Sequence, residues 1–176
     1  MAGCLVLFFL FLSVGVLAAP FPVSSTSSLT DSAEGNFFAS HGFRFTTSKL
    51  NWHIVPDGNI SIFETFQYIP KGNSSAKLTI RKDEIGKHKN IEDYAKKWMK
   101  EYPQYGFEVL ATKNMTLGGG EALLIDFIHR NKRQQVRQLV LHKNKKVVIM
   151  TCIDSIASFK VTVSDCNQMM TSFSWR

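Results

Sequence analysis

The sequence contains few cysteines and no motif with the spacing of a catalytic or metal centre. Only three of the 176 residues are cysteines. The five histidines show no metal-ligand spacing such as His-x-x-x-His on a helix. No Ser or Cys stands in a recognisable local signature of a nucleophile with His and acid partners. We therefore predict no catalytic residue, no metal ligand and no cofactor.

Three consecutive glycines, Gly118–Gly120, lack the residues that a phosphate-binding loop needs. A P-loop continues with Lys and Ser or Thr and then opens a helix, whereas here Glu121 and Ala122 begin an apolar, β-branched segment. The glycines therefore predict a tight turn that leads into a strand.

The amino-terminal apolar run, Leu5–Leu17, is shorter than the roughly 20 residues of a comfortable membrane span. Ala18 and Ala19 follow it. We expect residues 1–19 to be a secretory signal peptide, although no Lys or Arg precedes the run; an uncleaved anchor is the alternative. The protein is then expected to be exported, to a periplasm or outside the cell, with no transmembrane segment after cleavage. Residues 20–39 are predicted to be a flexible lead-in, and residues 40–176 a single domain.

Removal of a signal peptide would leave two cysteines, Cys152 and Cys166. An even number of cysteines in an exported chain favours a disulfide. For a loop of this size the chain-entropy treatment gives about 3 kcal/mol of stabilisation. Two buried free thiols are the alternative.

One long stretch of the sequence contains no acidic residue. The formal net charge is +7, and the segment from Arg130 to Lys146 contains as many cations as this net charge. These cations are candidate partner-binding residues for an acidic protein or an anionic envelope surface. They lack interleaved aromatic residues, so binding of nucleic acid by base stacking is not indicated. Ordinary solvated hairpin turns are the alternative interpretation. The candidates are Arg130, Lys132, Arg133, Arg137, Lys143, Lys145 and Lys146.

The basic segment belongs to a predicted antiparallel meander. Three apolar, β-branched runs, 121–129, 136–142 and 147–153, are separated by short basic connectors. The outer two runs are apolar on both faces, which predicts strands in the middle of a sheet. Further strands are predicted at residues 41–47, 52–55, 60–69, 76–82 and 107–117.

Two helices are predicted, one before and one after the meander. Asn90 is a good N-cap, and an apolar stripe runs from Ile91 to Tyr102 before Pro103. A second, weaker stripe with a period near 3.6 runs from Ile156 to Phe173.

The order of these motifs resembles the PsbP-like superfamily, in particular its DcrB-like secreted and lipoprotein branch. The resemblance rests on Gly42–Phe45 before Trp52, on Ile91–Ala95, on Leu117–Ala122 and on Met170–Phe173. It implies the α+β class and an α/β/α sandwich, in which a mostly antiparallel twisted sheet is flanked by helices on both faces. It also implies a non-enzymatic role as a binding or assembly factor. The chain lacks the lipobox cysteine of the lipoprotein members.

Two functional hypotheses follow. The first is an exported, non-enzymatic binding module that uses the basic connectors. The second is an enzyme or small-ligand carrier with a pocket between sheet and helix near Asp126 and His129. Asp126 lies within an apolar strand and is a candidate general base, whereas pairing with Arg137 on the next strand or a solvent-facing position is the alternative.

Three glycosylation sequons begin at Asn59, Asn73 and Asn114. They have meaning only in a eukaryotic secretory pathway.

Overall fold

The computed structural model describes residues 37–38, 41–47, 51–56, 59, 62, 64–72 and 74–176. The predicted signal peptide and most of the predicted lead-in lie outside these residues. So do Asn73 and parts of the predicted strand 60–69.

Within the described residues the chain forms ten strands, two α-helices and a 3₁₀ turn at Tyr102–Tyr105. The elements are β1 (Phe37–Phe38), β2 (Phe43–Arg44), β3 (Trp52–Ile54), β4 (Phe66–Pro70), β5 (Lys77–Glu84), α1 (Ile91–Met99), β6 (Phe107–Leu117), β7 (Gly120–His129), β8 (Gln134–Lys143), β9 (Lys146–Ser155), α2 (Phe159–Thr171) and β10 (Ser174–Trp175).

Seven strands form one sheet in the order β3-β4-β5-β9-β8-β7-β6. Every neighbouring pair is antiparallel. The meander β7–β9 lies inside the sheet, as its apolar faces predicted. The predicted first strand, 41–47, is reduced to the short β2, which pairs with β1 and β10 in a separate three-stranded sheet. An antiparallel sheet with two helices confirms the predicted α+β class.

Alternation along the strands separates two hydrophobic clusters. On β9, Val148 and Met150 belong to one cluster, and Val147 and Ile149 to the other. Because successive side chains of a strand point to opposite faces, the two clusters lie on opposite faces of the sheet. The first cluster includes residues of α2, and the second includes residues of α1.

The two helices differ in how closely they follow the predictions. The Asn90 side chain accepts a hydrogen bond from the Asp93 backbone N–H (2.9 Å), which confirms the predicted N-cap. However, α1 ends at Met99, and the chain passes through the 3₁₀ turn before β6. The helix α2 begins at Phe159, and Ile156, which the periodicity placed on its apolar stripe, is 46 % exposed.

Covalent and polar links attach α2 to the sheet. The predicted disulfide is present between Cys152 of β9 and Cys166 of α2, whose Cα atoms are 6.1 Å apart. The buried Asp154 carboxylate accepts hydrogen bonds from the Thr162 hydroxyl (2.5 Å) and the Ser75 hydroxyl. One buried acid thus joins β9, α2 and the segment before β5.

Candidate functional site

The predicted basic connectors lie at opposite ends of the large sheet. The turn between β7 and β8 follows His129, and the turn between β8 and β9 follows Lys143. Since these strands form a meander, successive turns fall at alternate ends. The structure therefore divides the candidate binding residues into two groups.

At the β7–β8 turn, one cation is neutralised and two are not. The Arg130 guanidinium pairs with the Glu108 carboxylate of β6 at 2.6 Å. Lys132 and Arg133 are exposed and form no ion pair within the described residues. Arg133 adopts a left-handed φ of 51°, which places it at the tight part of the turn.

Arg137 does not belong to either turn and is engaged within the fold. Its guanidinium makes two hydrogen bonds of 2.8 Å to the Asp126 carboxylate and a third of 2.9 Å to the Asn167 side chain of α2. Its hydrogen bonds with Asp126, the strongest influence, raise the pKa of Arg137 against the lowering effect of burial. The structure thus shows the alternative in which Asp126 pairs with Arg137, and this guanidinium is engaged within the fold.

Lysines from outside the segment Arg130–Lys146 also lie at the end of the sheet where the β8–β9 turn is found. The Ile85 backbone N–H donates to the Lys145 carbonyl (3.1 Å), which brings the β5–α1 connection against the turn. The register of β5 and β9 adds Lys82, which faces Val148. We call the resulting surface the basic end. Its residues are Lys82, Lys87, Lys89, Lys143, Lys145 and Lys146.

Two of the three acidic residues near the basic end are occupied. The Asp83 carboxylate accepts from the Tyr94 hydroxyl (2.6 Å) and lies 3.4 Å from the Arg81 guanidinium. Burial, assisted by Asp83, raises the pKa of Tyr94 well above its usual range. Glu121 contacts the His142 imidazole at 3.0 Å. Glu84 stands opposite Lys146 in the register of β5 and β9 and is exposed, as Asp83 and Glu121 also are. The six lysines of the basic end thus outnumber these three carboxylates.

The basic end borders a hollow of about 380 Å³. The Lys82 ammonium lies 2.6 Å from Nδ1 of His41, and burial together with this ammonium lowers the pKa of His41. The lining also includes Lys146 and Trp175.

The predicted pocket near Asp126 and His129 is not formed as expected, because these residues face opposite sides of the sheet. Asp126 points toward α2 and Arg137. His129 is buried on the other face, where its ring packs edge-on against Phe107 with centroids 4.6 Å apart. They are three positions apart on one strand, so alternation places them on different faces.

A groove does exist on the α1 face of the sheet, but neither Asp126 nor His129 lines it. It has a volume of about 440 Å³ and lies beside the end of α1 and the 3₁₀ turn. The Arg81 guanidinium lies over the Trp98 ring, 5.1 Å from its centroid, and its Nε is buried without a hydrogen-bond partner in the described part of the chain. Burial raises the pKa of Tyr102, in the same wall, to about 12. The lining includes Glu64, Arg81, Trp98, Glu101, Tyr102 and Tyr105.

The described residues also bear on metal binding and on membrane spans. Among the residues that the structure describes, no group of three His, Cys, Asp or Glu side chains could hold a metal ion. No helix in the same set of residues is long and apolar enough to cross a membrane.

Together these observations define an α+β protein with an all-antiparallel seven-stranded sheet and a lysine-rich end. No known protein-family profile matches the sequence. No curated protein matches it either. The structure, in contrast, is similar to several solved structures.

One similar structure is the cyanobacterial PsbP protein CyanoP from Synechocystis sp. PCC 6803, with a TM-score of 0.57 and 13 % identity over 78 % of this chain and 88 % of that chain. Another is LpqN, described as involved in cell envelope biogenesis of Mycobacterium tuberculosis, with a TM-score of 0.59 and 12 % identity over 75 % and 82 % of the two chains. A third is PA94 from Pseudomonas aeruginosa, a protein of unknown function and putative regulator, with a TM-score of 0.52 and 17 % identity over 72 % and 98 %. These similarities confirm the PsbP-like fold that the sequence predicted.

Proposed function

We propose that this protein is an exported, non-enzymatic binding module whose basic end docks onto an acidic protein partner. The observation that carries the proposal is the convergence of six lysines from three chain segments on one end of the sheet. Such a concentration of one charge attracts an oppositely charged surface and accelerates its association. Lys132 and Arg133 form a second, smaller group at the opposite end.

The overall fold and the disulfide support this role. From the helix on each face of the sheet we infer the α/β/α sandwich that the resemblance to PsbP-like binding and assembly factors implies. Disulfides persist in oxidising compartments, which agrees with export. The relation of LpqN to cell envelope biogenesis suggests a partner in the cell envelope.

Charge reversal tests the proposal. The variant Lys143→Glu, Lys145→Glu, Lys146→Glu should abolish a salt-sensitive crosslinked complex recovered from the native compartment, and leave the unfolding transition unchanged. A matched control, Lys97→Glu, Lys100→Glu, Lys160→Glu, makes the same change of charge at exposed lysines of α1, of its C-cap and of α2.

The partner identified from wild-type complexes should be acidic at the crosslinked site. Equal recovery of the complex with both triple variants would refute the proposal. Binding to phosphatidylglycerol vesicles that the same variant abolishes, without any protein complex, would replace the protein partner by an anionic lipid surface.

A second candidate function is carriage of a small ligand in the groove beside α1. The observation that favours it is the Arg81 guanidinium, which lies on Trp98 next to exposed aromatic side chains in a groove of about 440 Å³. This volume lies within the range of small-molecule sites. An aromatic carboxylate would stack on the aromatic wall and accept from Arg81.

Indole-3-acetate and the cationic tryptamine are suitable probes. We expect indole-3-acetate to shift the NMR signals of groove residues, and Arg81→Met to remove that effect. Absence of such shifts at millimolar indole-3-acetate, or equal shifts with tryptamine, would exclude this candidate.

A further inference from the structure

The sequon that begins at Asn114 lies on the outer strand of the large sheet. It is the sequon whose residues, Asn114, Met115 and Thr116, are all described by the structure. Asn114 and Thr116 are exposed, whereas Met115 packs against the hydrophobic cluster that includes residues of α2. The acceptor amide and the hydroxyl two residues later therefore share one solvent-facing side of β6.

The strand β6 ends the sheet and is longer than its neighbours. It extends over 11 residues and pairs with β7, and within the described residues no strand pairs with its other edge. An unpaired edge presents backbone N–H and C=O groups to which a second chain can add. A register shift between Val109 and Ala111 interrupts this edge near its beginning, and Leu110 at the shift is 49 % exposed. The regular part that includes Asn114 has no such interruption.

We propose that Asn114 is N-glycosylated and that its glycan covers the outer edge of β6. The substrate is a lipid-linked oligosaccharide of a eukaryotic secretory pathway. The side-chain nitrogen of Asn114 bonds to the anomeric carbon of the first sugar. The bond from that carbon to the lipid diphosphate breaks, the diphosphate leaves with the electron pair, and the amide releases one proton.

The site suits a bulky modification. The neighbours on the same face, Thr112 and Thr116, are exposed and polar, so a sugar displaces no buried side chain. The lysines of the β8–β9 turn are closer to β6 than Lys82 is, because two strand spacings, about 10 Å, separate β8 from β6 and four separate β5 from it. The inference rests on the sequon and on the outer edge of β6, and it uses no residue of the basic end.

The first test uses protein purified from its native cells. Proteolysis after Lys113 gives a peptide that starts at Asn114. We expect this peptide to carry a glycan. When peptide N-glycosidase in ¹⁸O water is applied to the denatured protein before proteolysis, Asn114 should appear in the peptide as labelled Asp. Recovery of the peptide in unmodified form only would overturn the proposal.

Variants made in the same cells test the role at the edge. Asn114→Gln and Thr116→Ala should each lose one glycan per chain, whereas Thr112→Ala, which preserves the sequon on the same face, should lose none. Both sequon variants should sediment as concentration-dependent oligomers. If all three remain monomeric, the proposed protection of the edge is wrong even where the glycan is present.

Discussion

Replacement of Arg137 by Met should destabilise the protein, because this cation stabilises the fold and is not free to bind a partner. The change removes the three guanidinium hydrogen bonds to Asp126 and Asn167. The side chains of Arg137 and Asp126 are 22 % and 19 % exposed, so the pair lies between the surface and the interior. Exposed pairs contribute about 0–1 kcal/mol, and loss of one partner of a buried pair costs about 3–5 kcal/mol. We therefore expect about 2–3 kcal/mol of destabilisation.

Equilibrium unfolding in urea at neutral pH measures this loss. Lys145→Met is the matched control, since this exposed lysine forms no ion pair within the described residues, and it should change stability by less than about 0.5 kcal/mol. In Arg137→Met combined with Asp126→Leu, the carboxylate left without its partner is also removed, so the double variant should cost less than the sum of the single changes. An Arg137→Met protein as stable as Lys145→Met would refute the assignment.

Three other changes test the structure elsewhere. Reduction of the Cys152–Cys166 disulfide should lower the free energy of unfolding by about 3 kcal/mol, measured in urea with and without reductant; a wild-type protein insensitive to reductant would contradict the bridge. The pKa of Tyr102 is raised from 10.0 to about 12, so between these values the folded state keeps a proton that the unfolded chain loses. The contribution of Tyr102 to the free energy of unfolding is therefore full below pH 10 and falls as pH rises toward 12. Tyr102→Phe should flatten that fall in urea titrations at stepped pH. Gly120→Ala should destabilise the protein more than Gly86→Ala in thermal unfolding, because a Cβ at Gly120 would lie 2.5 Å from a backbone carbonyl of β8. A Cβ at Gly86 meets no atom within 4 Å, so the cost there is limited to the strain of its left-handed φ of 61°; equal losses would refute the close contact at Gly120.

The meander and the strand before it were predictable because their side chains follow the period of a strand closely. The predicted segments 107–117 and 121–129 match β6 and β7 to within one residue. The end of α1 was not predicted, because the apolar stripe continues through Tyr102 while the backbone changes to a 3₁₀ turn. The periodicity of a sequence indicates which side chains are buried. It does not indicate whether the backbone there forms α-helical or 3₁₀ hydrogen bonds.

The composition of the candidate site was predictable only in part. Lys143, Lys145 and Lys146 are adjacent in sequence and stay together in the structure. Lys87 and Lys89 join them through the contact of Ile85 with the turn, which depends on the pairing of β5 with β9 across more than 60 residues of chain. The pairing of β5 with β9 cannot be predicted from the positions of the charges along the sequence. Arg137 is the opposite case: the sequence already offered Asp126 on the neighbouring strand as its partner, and the register of β7 and β8 places the two residues opposite each other.

The antiparallel topology also explains why the two ends of the sheet differ in electrostatic character. The interior strands are apolar on both faces, so charged side chains concentrate where strands end. At the β7–β8 end, Arg130 meets Glu108, and this pairing reduces the free charge to Lys132 and Arg133. At the other end, Asp83 contacts Tyr94 and Arg81, and Glu121 contacts His142, so Glu84 is the remaining acid that faces the lysines. Because Lys143, Lys145 and Lys146 form no ion pair within the described residues, a change of their charge removes no ion pair of the fold.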